Sequence, residues 1–157
     1  MRLLMMAAID RKRALGRNGE LLYSIPEDMQ RFKRLTLGQR LILGRKTLES
    51  FPNQRPLPGR EHWLLTRKPE RYPGIRCFQS SDELLTALNE FDGSEGLSLS
   101  SCLDLEAQIP VDAIVIGGAS VYQIFLKHAE FLDLCEMDAE FPDADCYFPE
   151  FEAAYEL

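Results

Sequence analysis

The sequence predicts a single α/β domain with a central, mostly parallel mixed sheet flanked by helices. The chain has 157 residues, enough for one domain to bury a core without disulfides or metals. Short apolar segments of strand length alternate with helical patterns, as expected when helices connect parallel strands. We predict strands at residues 3–9, 40–43, 63–66, 75–78, 113–116 and 131–137.

Two helices have recognisable starting points. Pro26 suits the first position of a helix, and the acids Glu27 and Asp28 favour the positive end of its dipole. Ser80 and Glu83 have the spacing of a capping box, in which each side chain accepts from a backbone N–H. We therefore predict helices that begin near residues 26 and 81.

Residues 91–110 are rich in Gly, Ser and acidic residues and show little periodicity. We predict a surface insertion there, within one domain that covers residues 1–157. The apolar segment at residues 3–9 is too short to span a bilayer and has no signal-type cleavage region. These features favour a cytoplasmic protein.

Charge and cysteine content exclude several kinds of partner. The chain carries 18 basic and 25 acidic side chains, for a formal net charge of -7. That balance disfavours a non-specific grip on nucleic acid or on an anionic membrane. The four cysteines form no C-x-x-C pair and only two histidines accompany them, so no metal site is indicated.

Asp28 and Phe32 lie four residues apart in the first predicted helix. Both side chains therefore project from nearly the same helix face, which directs a carboxylate towards an apolar site. The alternative is an acid that stays in water and stabilises the helix through its dipole. The spacing alone leaves both interpretations open.

Gly117 and Gly118 follow a predicted strand and precede a helical segment. Glycines there let the backbone approach a phosphate, which the N–H groups of the next helix can bind, although a tight turn has the same pattern. Gly44 occupies a similar place, and Arg45 and Lys46 follow it at the unfavourable end of the helix dipole. A docked anion would offset their repulsion, and solvated surface charge is the alternative.

Residues 50–60 form a proline-stiffened loop that carries two arginines. Arg60 has the planar, forked guanidinium that grips a carboxylate bidentately. Thr66 and Arg67 come at the end of another predicted strand, so a cation follows a strand here as Arg45 and Lys46 do after Gly44.

Taken in order, these segments resemble the dihydrofolate reductase family from about residue 3 to about residue 151. The resemblance implies NADPH-dependent reduction of 7,8-dihydrofolate to 5,6,7,8-tetrahydrofolate, with hydride transfer to pterin C6 and protonation of N5. It is weakest over residues 91–110. The matching segments are LGRNG at 15–19, IPEDMQRFK at 25–33, GRKTLES at 44–50, RPLPGR at 55–60, VIGGA at 115–119 and FP at 148–149.

The same resemblance implies a substrate site. Asp28 would bond the 2-amino group and N3 of the pterin, Phe32 would pack on the ligand, and Arg60 would hold the glutamate carboxylate. The implied catalytic residues are Asp28, Tyr23 and Leu21. The other substrate positions are Met6, Ala7, Ala8, Met29, Phe51, Arg55, Leu57, Ile116, Tyr122 and Cys135.

For NADPH, the resemblance places Gly117 and Gly118 at the pyrophosphate. Arg45, Lys46 and Thr47 would bind phosphates, and Thr66 and Arg67 would lie near the adenosine 2′-phosphate. Residues 15–23 match the family's mobile active-site loop. The remaining cofactor positions are Ala8, Leu15, Gly16, Gly19, Gly44, Leu65, Ile116, Ala119, Ser120, Val121 and Tyr122.

Three features depart from the family. Tyr23 stands where a tryptophan is usual, and Cys135 stands where a threonine usually bonds the catalytic acid. The family normally continues beyond Leu157 into a closing pair of strands, so we expect an exposed sheet edge, and either a homodimer paired through it or a compensating rearrangement of the chain. The departures keep two alternatives open: a non-catalytic folate- or NADPH-binding relative or interaction module, and a reductase of another pterin-like heterocycle.

Overall fold

A computed structural model describes residues 1–22, 25–91, 97–98 and 110–155 of the chain. Tyr23 and most of the insertion predicted at 91–110 lie outside these residues. The helices are α1 (Pro26–Thr36), α2 (Arg45–Glu49), α3 (Ser81–Glu90) and α4 (Ala119–Phe125). The strands are β1 (Leu3–Asp10), β2 (Ala14–Arg17), β3 (Glu20–Leu21), β4 (Arg40–Gly44), β5 (Glu61–Leu65), β6 (Arg76–Phe78), β7 (Leu97–Ser98), β8 (Pro110–Val111), β9 (Ala113–Gly117), β10 (Phe131–Met137) and β11 (Cys146–Tyr147).

The central sheet has six strands in the order β10-β1-β9-β4-β5-β6, and its neighbouring strands pair in parallel. The predicted α/β class with a mostly parallel sheet is therefore confirmed. Antiparallel pairs form two smaller sheets, β11-β2-β3 and β7-β8. Within the described ranges, no helix has the length and apolar character needed to cross a membrane.

Strand β1 separates two parts of the core. Leu3 and Met5 pack on one side of the sheet with the aromatic residues of the larger cluster. Leu4 and Met6 pack on the other side, towards α1. Successive side chains of a strand point to opposite faces, so the apolar run at residues 3–9 is that of a strand buried on both sides.

The end of α1 is joined to the loop that carries Arg60. Leu37 closes the helix by donating its N–H to the Lys33 carbonyl at 3.1 Å. Gly38 then takes a positive φ of 74° and donates its N–H to the Gly59 carbonyl at 2.7 Å. Gly59 has a φ of 74°, a conformation that favours glycine, and a Cβ there would lie 2.9 Å from the Leu37 side chain.

The predicted cap of α3 is confirmed, with one difference. The Ser80 hydroxyl accepts from the Glu83 N–H at 3.2 Å, as the capping box requires. The Glu83 carboxylate accepts from the N–H of Gln79 at 2.9 Å, one residue before the cap. Leu84 and Leu88 are buried, as helical spacing predicts.

A buried carboxylate, Asp10, organises the chain where β1 ends. Its oxygens accept from the N–H groups of Lys12 and Ala14, each at 2.8 Å, and of Phe141 at 2.9 Å. Burial raises the pKa of Asp10, but these hydrogen bonds and the Lys12 charge outweigh that effect, so the pKa is lowered overall. Asp10 thus ties the turn before β2 to the segment after β10.

Candidate active site

The carboxyl ends of β1, β9 and β4 lie side by side, because these strands are neighbours and run in parallel. Gly117 at the end of β9 is in register with Leu43, next to Gly44. Ala8 near the end of β1 is in register with Cys135 of β10. Ligands of open α/β sheets bind at this edge. The topology therefore brings together predicted site residues that are far apart in the sequence.

Asp28, in the first turn of α1, is half-buried beside Cys135 of β10. Burial and the negative charge of Asp28 raise the pKa of the Cys135 thiol, with a further contribution from Asp133. The thiol is therefore protonated at neutral pH and has a proton to donate. The structure thus brings together the two residues that the resemblance pairs, and Asp28 faces the sheet edge.

Arg31 lies next to Asp28 on α1 and makes an ion pair that sequence reasoning missed. Its guanidinium donates to the Asp133 carboxylate at 2.5 Å, and both side chains are 21% exposed. Burial lowers the pKa of Arg31, but the bond to Asp133 and the nearby Asp28 charge outweigh it and raise the pKa. The charge of Arg31 is therefore already offset by Asp133 and does not call for an anionic ligand.

A cavity of about 320 Å³ runs along the exposed side of α1. Met29 and Phe32 of α1, together with Leu57, supply an apolar lining. Met29 is 49% exposed at this cavity, where its side chain is available to an apolar part of a ligand. Its full lining is Met29, Gln30, Phe32, Lys33, Leu57 and Arg60. Of these, sequence reasoning missed Gln30 and Lys33, which have no pattern that separates them from ordinary surface residues.

Arg60 is half-buried at this cavity. Its Nε is shielded from solvent and has no hydrogen-bond partner among the described residues. Burial lowers the pKa of Arg60. A shielded donor without a partner is costly, and a bound carboxylate would remove that cost. The predicted role of Arg60 agrees with this geometry.

The Gly117–Gly118 turn forms an open cradle between α2 and α4. The peptide bond between the two glycines is cis, and Gly117 has a φ of 121°. A Cβ on Gly117 would lie 3.3 Å from the Tyr122 ring and 3.4 Å from the Thr47 hydroxyl. Tyr122 is held there because its hydroxyl donates to the Met6 carbonyl at 2.7 Å.

The residues around this cradle fit the phosphates of a dinucleotide. Both α2 and α4 begin after a glycine, Gly44 and Gly118, which has no side chain to cap the first-turn N–H groups. Those N–H groups and the Thr47 hydroxyl can donate to phosphate oxygens. Ala119 and Ser120 form the first turn of α4.

The basic residues near the cradle differ in their freedom. Arg45 donates to Glu49 at 3.0 and 3.2 Å, so its charge is offset within α2. Glu49 in turn accepts from the Tyr72 hydroxyl at 2.7 Å. Lys46 and Arg67 are exposed. The charge of Arg45 is therefore already offset without a bound anion. Among the described residues, Lys46 and Arg67 remain able to bind an anion.

Residues 15–21 form a short hairpin of β2 and β3. A Cβ on Gly16 would lie 2.5 Å from the Glu20 carbonyl, so Gly16 is needed for close approach of the two strands. Gly19, with a φ of 79°, provides the turn. The N–H of Asn18 donates to Asp145 at 2.9 Å and holds the hairpin against the segment before β11. Leu21 is 67% exposed, and Tyr23 lies outside the described residues.

The other predicted positions differ in burial. Leu15 and Val121 pack into the core, so a ligand would meet their backbone. Arg55 is exposed in the loop before Arg60. Ala7, Ala8, Phe51, Leu65 and Ile116 are half-buried, and Met6 and Thr66 are buried.

Comparison with known proteins gives one consistent result. Residues 2–157 match the family model described as dihydrofolate reductase. The chain is 34% identical over 154 residues to dihydrofolate reductase HdrB of Haloferax volcanii, covering 96% of this chain and 72% of that protein. It is 33% identical over 146 residues to dihydrofolate reductase of Bacillus subtilis, covering 92% of this chain and 74% of that one. Dihydrofolate reductase from Enterococcus faecalis, solved with NADP(H) and RAB-propyl, superposes with a TM-score of 0.73 at 26% identity. That superposition covers 98% of this chain and 80% of that one.

Proposed function

Because the chain belongs to the dihydrofolate reductase family, we propose that its reaction takes place between α1 and the glycine turn after β9. The protein reduces 7,8-dihydrofolate to 5,6,7,8-tetrahydrofolate. NADPH supplies the hydride for pterin C6, while N5 takes up a proton. What the chain itself contributes is binding, orientation and the exclusion of water.

Asp28 binds the pterin. Its carboxylate accepts hydrogen bonds from the 2-amino group and N3, and its place beside Cys135 fixes the orientation of the acid. Phe32, one helical turn further along α1, packs against the ligand in the cavity. Leu21 belongs to the segment that covers the reacting atoms and excludes water.

At the other end of the ligand, Arg60 binds the glutamate carboxylate. The observation that carries this placement is the buried Arg60 Nε without a partner in the described chain, at a cavity lined by α1. Asp28 and Arg60 thus bind opposite ends of one substrate. Met29, Leu57 and Phe51 supply apolar contacts between them.

Gly117 and Gly118 bind the pyrophosphate of NADPH through their backbone, with Thr47 donating from α2. Lys46, Thr66 and Arg67 bind the phosphates on the adenosine side. The opening of the cradle between α2 and α4 supports this placement, since a side chain at Gly117 would fill it.

Replacing Arg60 with lysine tests the carboxylate site. The variant keeps the charge and loses the bidentate fork, so we expect KM for dihydrofolate to rise about tenfold to a hundredfold. KM for a dihydropterin without a glutamate tail should stay within about twofold, because it has no carboxylate to lose. Arg34→Lys, an exposed arginine on α1 outside the cavity lining, is the control. An unchanged KM for dihydrofolate in Arg60→Lys would place the carboxylate elsewhere.

We further propose that residues 1–157 form one domain and that the protein is cytoplasmic. We also propose that two copies pair as a homodimer through β10. This strand lies at an edge of the central sheet, with β1 on one side. Within the described residues no strand pairs with its other side, and such an edge is open to a second copy. Light scattering at increasing protein concentration should give the mass of two chains, and a constant monomer mass would refute the pairing.

A further inference from the structure

We propose that His62 is a positioning residue for the carboxylate end of the substrate cavity, and that it acts there only with a neutral ring. This inference rests on the proposed role of Arg60. It assigns to His62 the task of holding the loop from Leu57 to Arg60 in the shape that receives the glutamate tail.

His62 lies on β5, directly after this loop, and is only 6% exposed. Its Nε2 accepts from the Leu57 N–H at 3.1 Å. Its Nδ1 lies 3.1 Å from the Arg60 carbonyl. The two contacts together assign the proton to Nδ1, because Nε2 must be the acceptor. One ring thereby fixes the backbone of both residues that the loop contributes to the cavity.

The neighbours of His62 leave little room for another arrangement. Phe51, after α2, meets the ring edge-on at a centroid distance of 6.3 Å. Leu41 of β4 is its register partner in the sheet. Neither carries a charge, and the charge that acts on the ring is that of Arg60. A protonated ring would therefore face a cation on its own loop.

Protonation would break one of the two contacts. In the imidazolium both nitrogens carry a proton, so Nε2 would point a donor at the Leu57 N–H. Burial lowers the pKa of His62, and the Arg60 charge lowers it further, against the opposing effect of the bond to the Arg60 carbonyl. The bond from the Leu57 N–H to Nε2 is thus complete above about pH 6.5, the pKa of an unfolded histidine. It is lost as the pH falls through the pKa of His62 in the folded protein, which is lower.

The expected consequence concerns KM for substrates that carry the tail. As the pH falls through the folded pKa of His62, which lies below the free value of about 6.5, KM for dihydrofolate should rise by roughly fivefold to tenfold, the effect of losing one buried hydrogen bond. KM for a tail-less dihydropterin should not follow it. The ratio of the two KM values isolates the tail site, because a titrating group at the pterin end affects both substrates.

Two variants separate positioning from titration. In His62→Gln the amide oxygen can accept from the Leu57 N–H but has no proton to gain, so the KM ratio should be flat with pH. In His62→Leu the acceptor is absent, so the ratio should be raised about fivefold at every pH. His128→Gln, at the chain's other histidine, should keep the wild-type profile. Thermal melts identify any variant that fails to fold. The pH dependence of the KM ratio in the wild-type protein tests the proposal even if a variant does not fold.

The outcomes also distinguish this inference from the proposed function on which it rests. Suppose that KM rises in Arg60→Lys, but the KM ratio does not change with pH in wild type and is not raised in His62→Leu. That result would overturn the role of His62 and leave the carboxylate site at Arg60 standing. An unaltered KM in Arg60→Lys would overturn the carboxylate site itself. A pH-dependent ratio in wild type that becomes flat in His62→Gln is the result expected.

Discussion

Asp28→Asn is expected to lower kcat/KM for dihydrofolate by about a hundredfold to ten-thousandfold, the range associated with loss of an acid–base group. The carboxylate offers two acceptors to the 2-amino group and N3 of the pterin. The amide offers one acceptor and turns a donor towards the other N–H. The variant therefore keeps the shape of the side chain and loses both its charge and its hydrogen-bond pattern.

The same experiment includes its own controls. Affinity for NADPH, followed by fluorescence titration, should remain within about twofold because Asp28 lies on the pterin side of the site. Glu27→Gln removes the neighbouring exposed acid of the same helical turn and should leave activity close to wild type. If both variants lose activity equally, the effect comes from the charge of the helix terminus and Asp28 has no specific role.

Gly117→Ala is expected to weaken NADPH binding by about tenfold to a hundredfold, equivalent to about 1.4–2.8 kcal/mol. The new methyl group would lie 3.3 Å from the Tyr122 ring and 3.4 Å from the Thr47 hydroxyl, within the cradle. The φ of 121° also strains any residue with a Cβ. Occupied space and backbone strain therefore act together in this variant.

Gly74→Ala separates the two effects. Gly74 also has a positive φ, 83°, but a Cβ there would meet no atom within 4 Å. Both variants should lose about 1–3 kcal/mol of unfolding free energy from strain. NADPH affinity should fall in Gly117→Ala alone. Normal NADPH affinity in a folded Gly117→Ala would contradict the placement of the pyrophosphate.

The central sheet could be predicted from the sequence because five of its six strands are largely apolar segments of five to eight residues; β6 has only three. The small sheet of β11, β2 and β3 could not. Its strands have two to four residues, too few to establish a periodicity. Their pairing depends on the bond from Asn18 to Asp145, 127 residues away, and on the close approach of Gly16 to Glu20 within the hairpin.

For the site, positions set by local geometry could be predicted, and those set by partners could not. Helical spacing predicts that Asp28 and Phe32 share one face of α1, and the passage of strand into helix predicts the turn at Gly117. Their roles in the site are what the family resemblance implies. The ion pair of Arg31 could not be predicted, because its partner Asp133 is 102 residues away in the sequence. The two cations of α2 appeared to need an anion, and the structure shows that Glu49 already offsets Arg45.

His62 illustrates the same limit at short range. The two residues that its ring nitrogens contact, Leu57 and Arg60, are within five positions in the sequence. A histidine in a strand has no pattern of its own, and only the folded loop shows that both ring nitrogens are engaged. Its role therefore depends on the loop geometry, which the proline-rich sequence predicts only as a stiff turn.

A crystal structure of the protein with NADPH and folate tests the central claim most directly. We expect the pterin to contact Asp28, the glutamate carboxylate to bind Arg60, and the pyrophosphate to lie over Gly117 and Gly118. A pterin bound away from α1, or a pyrophosphate away from the glycine turn, would contradict the proposed site even if the protein reduces dihydrofolate.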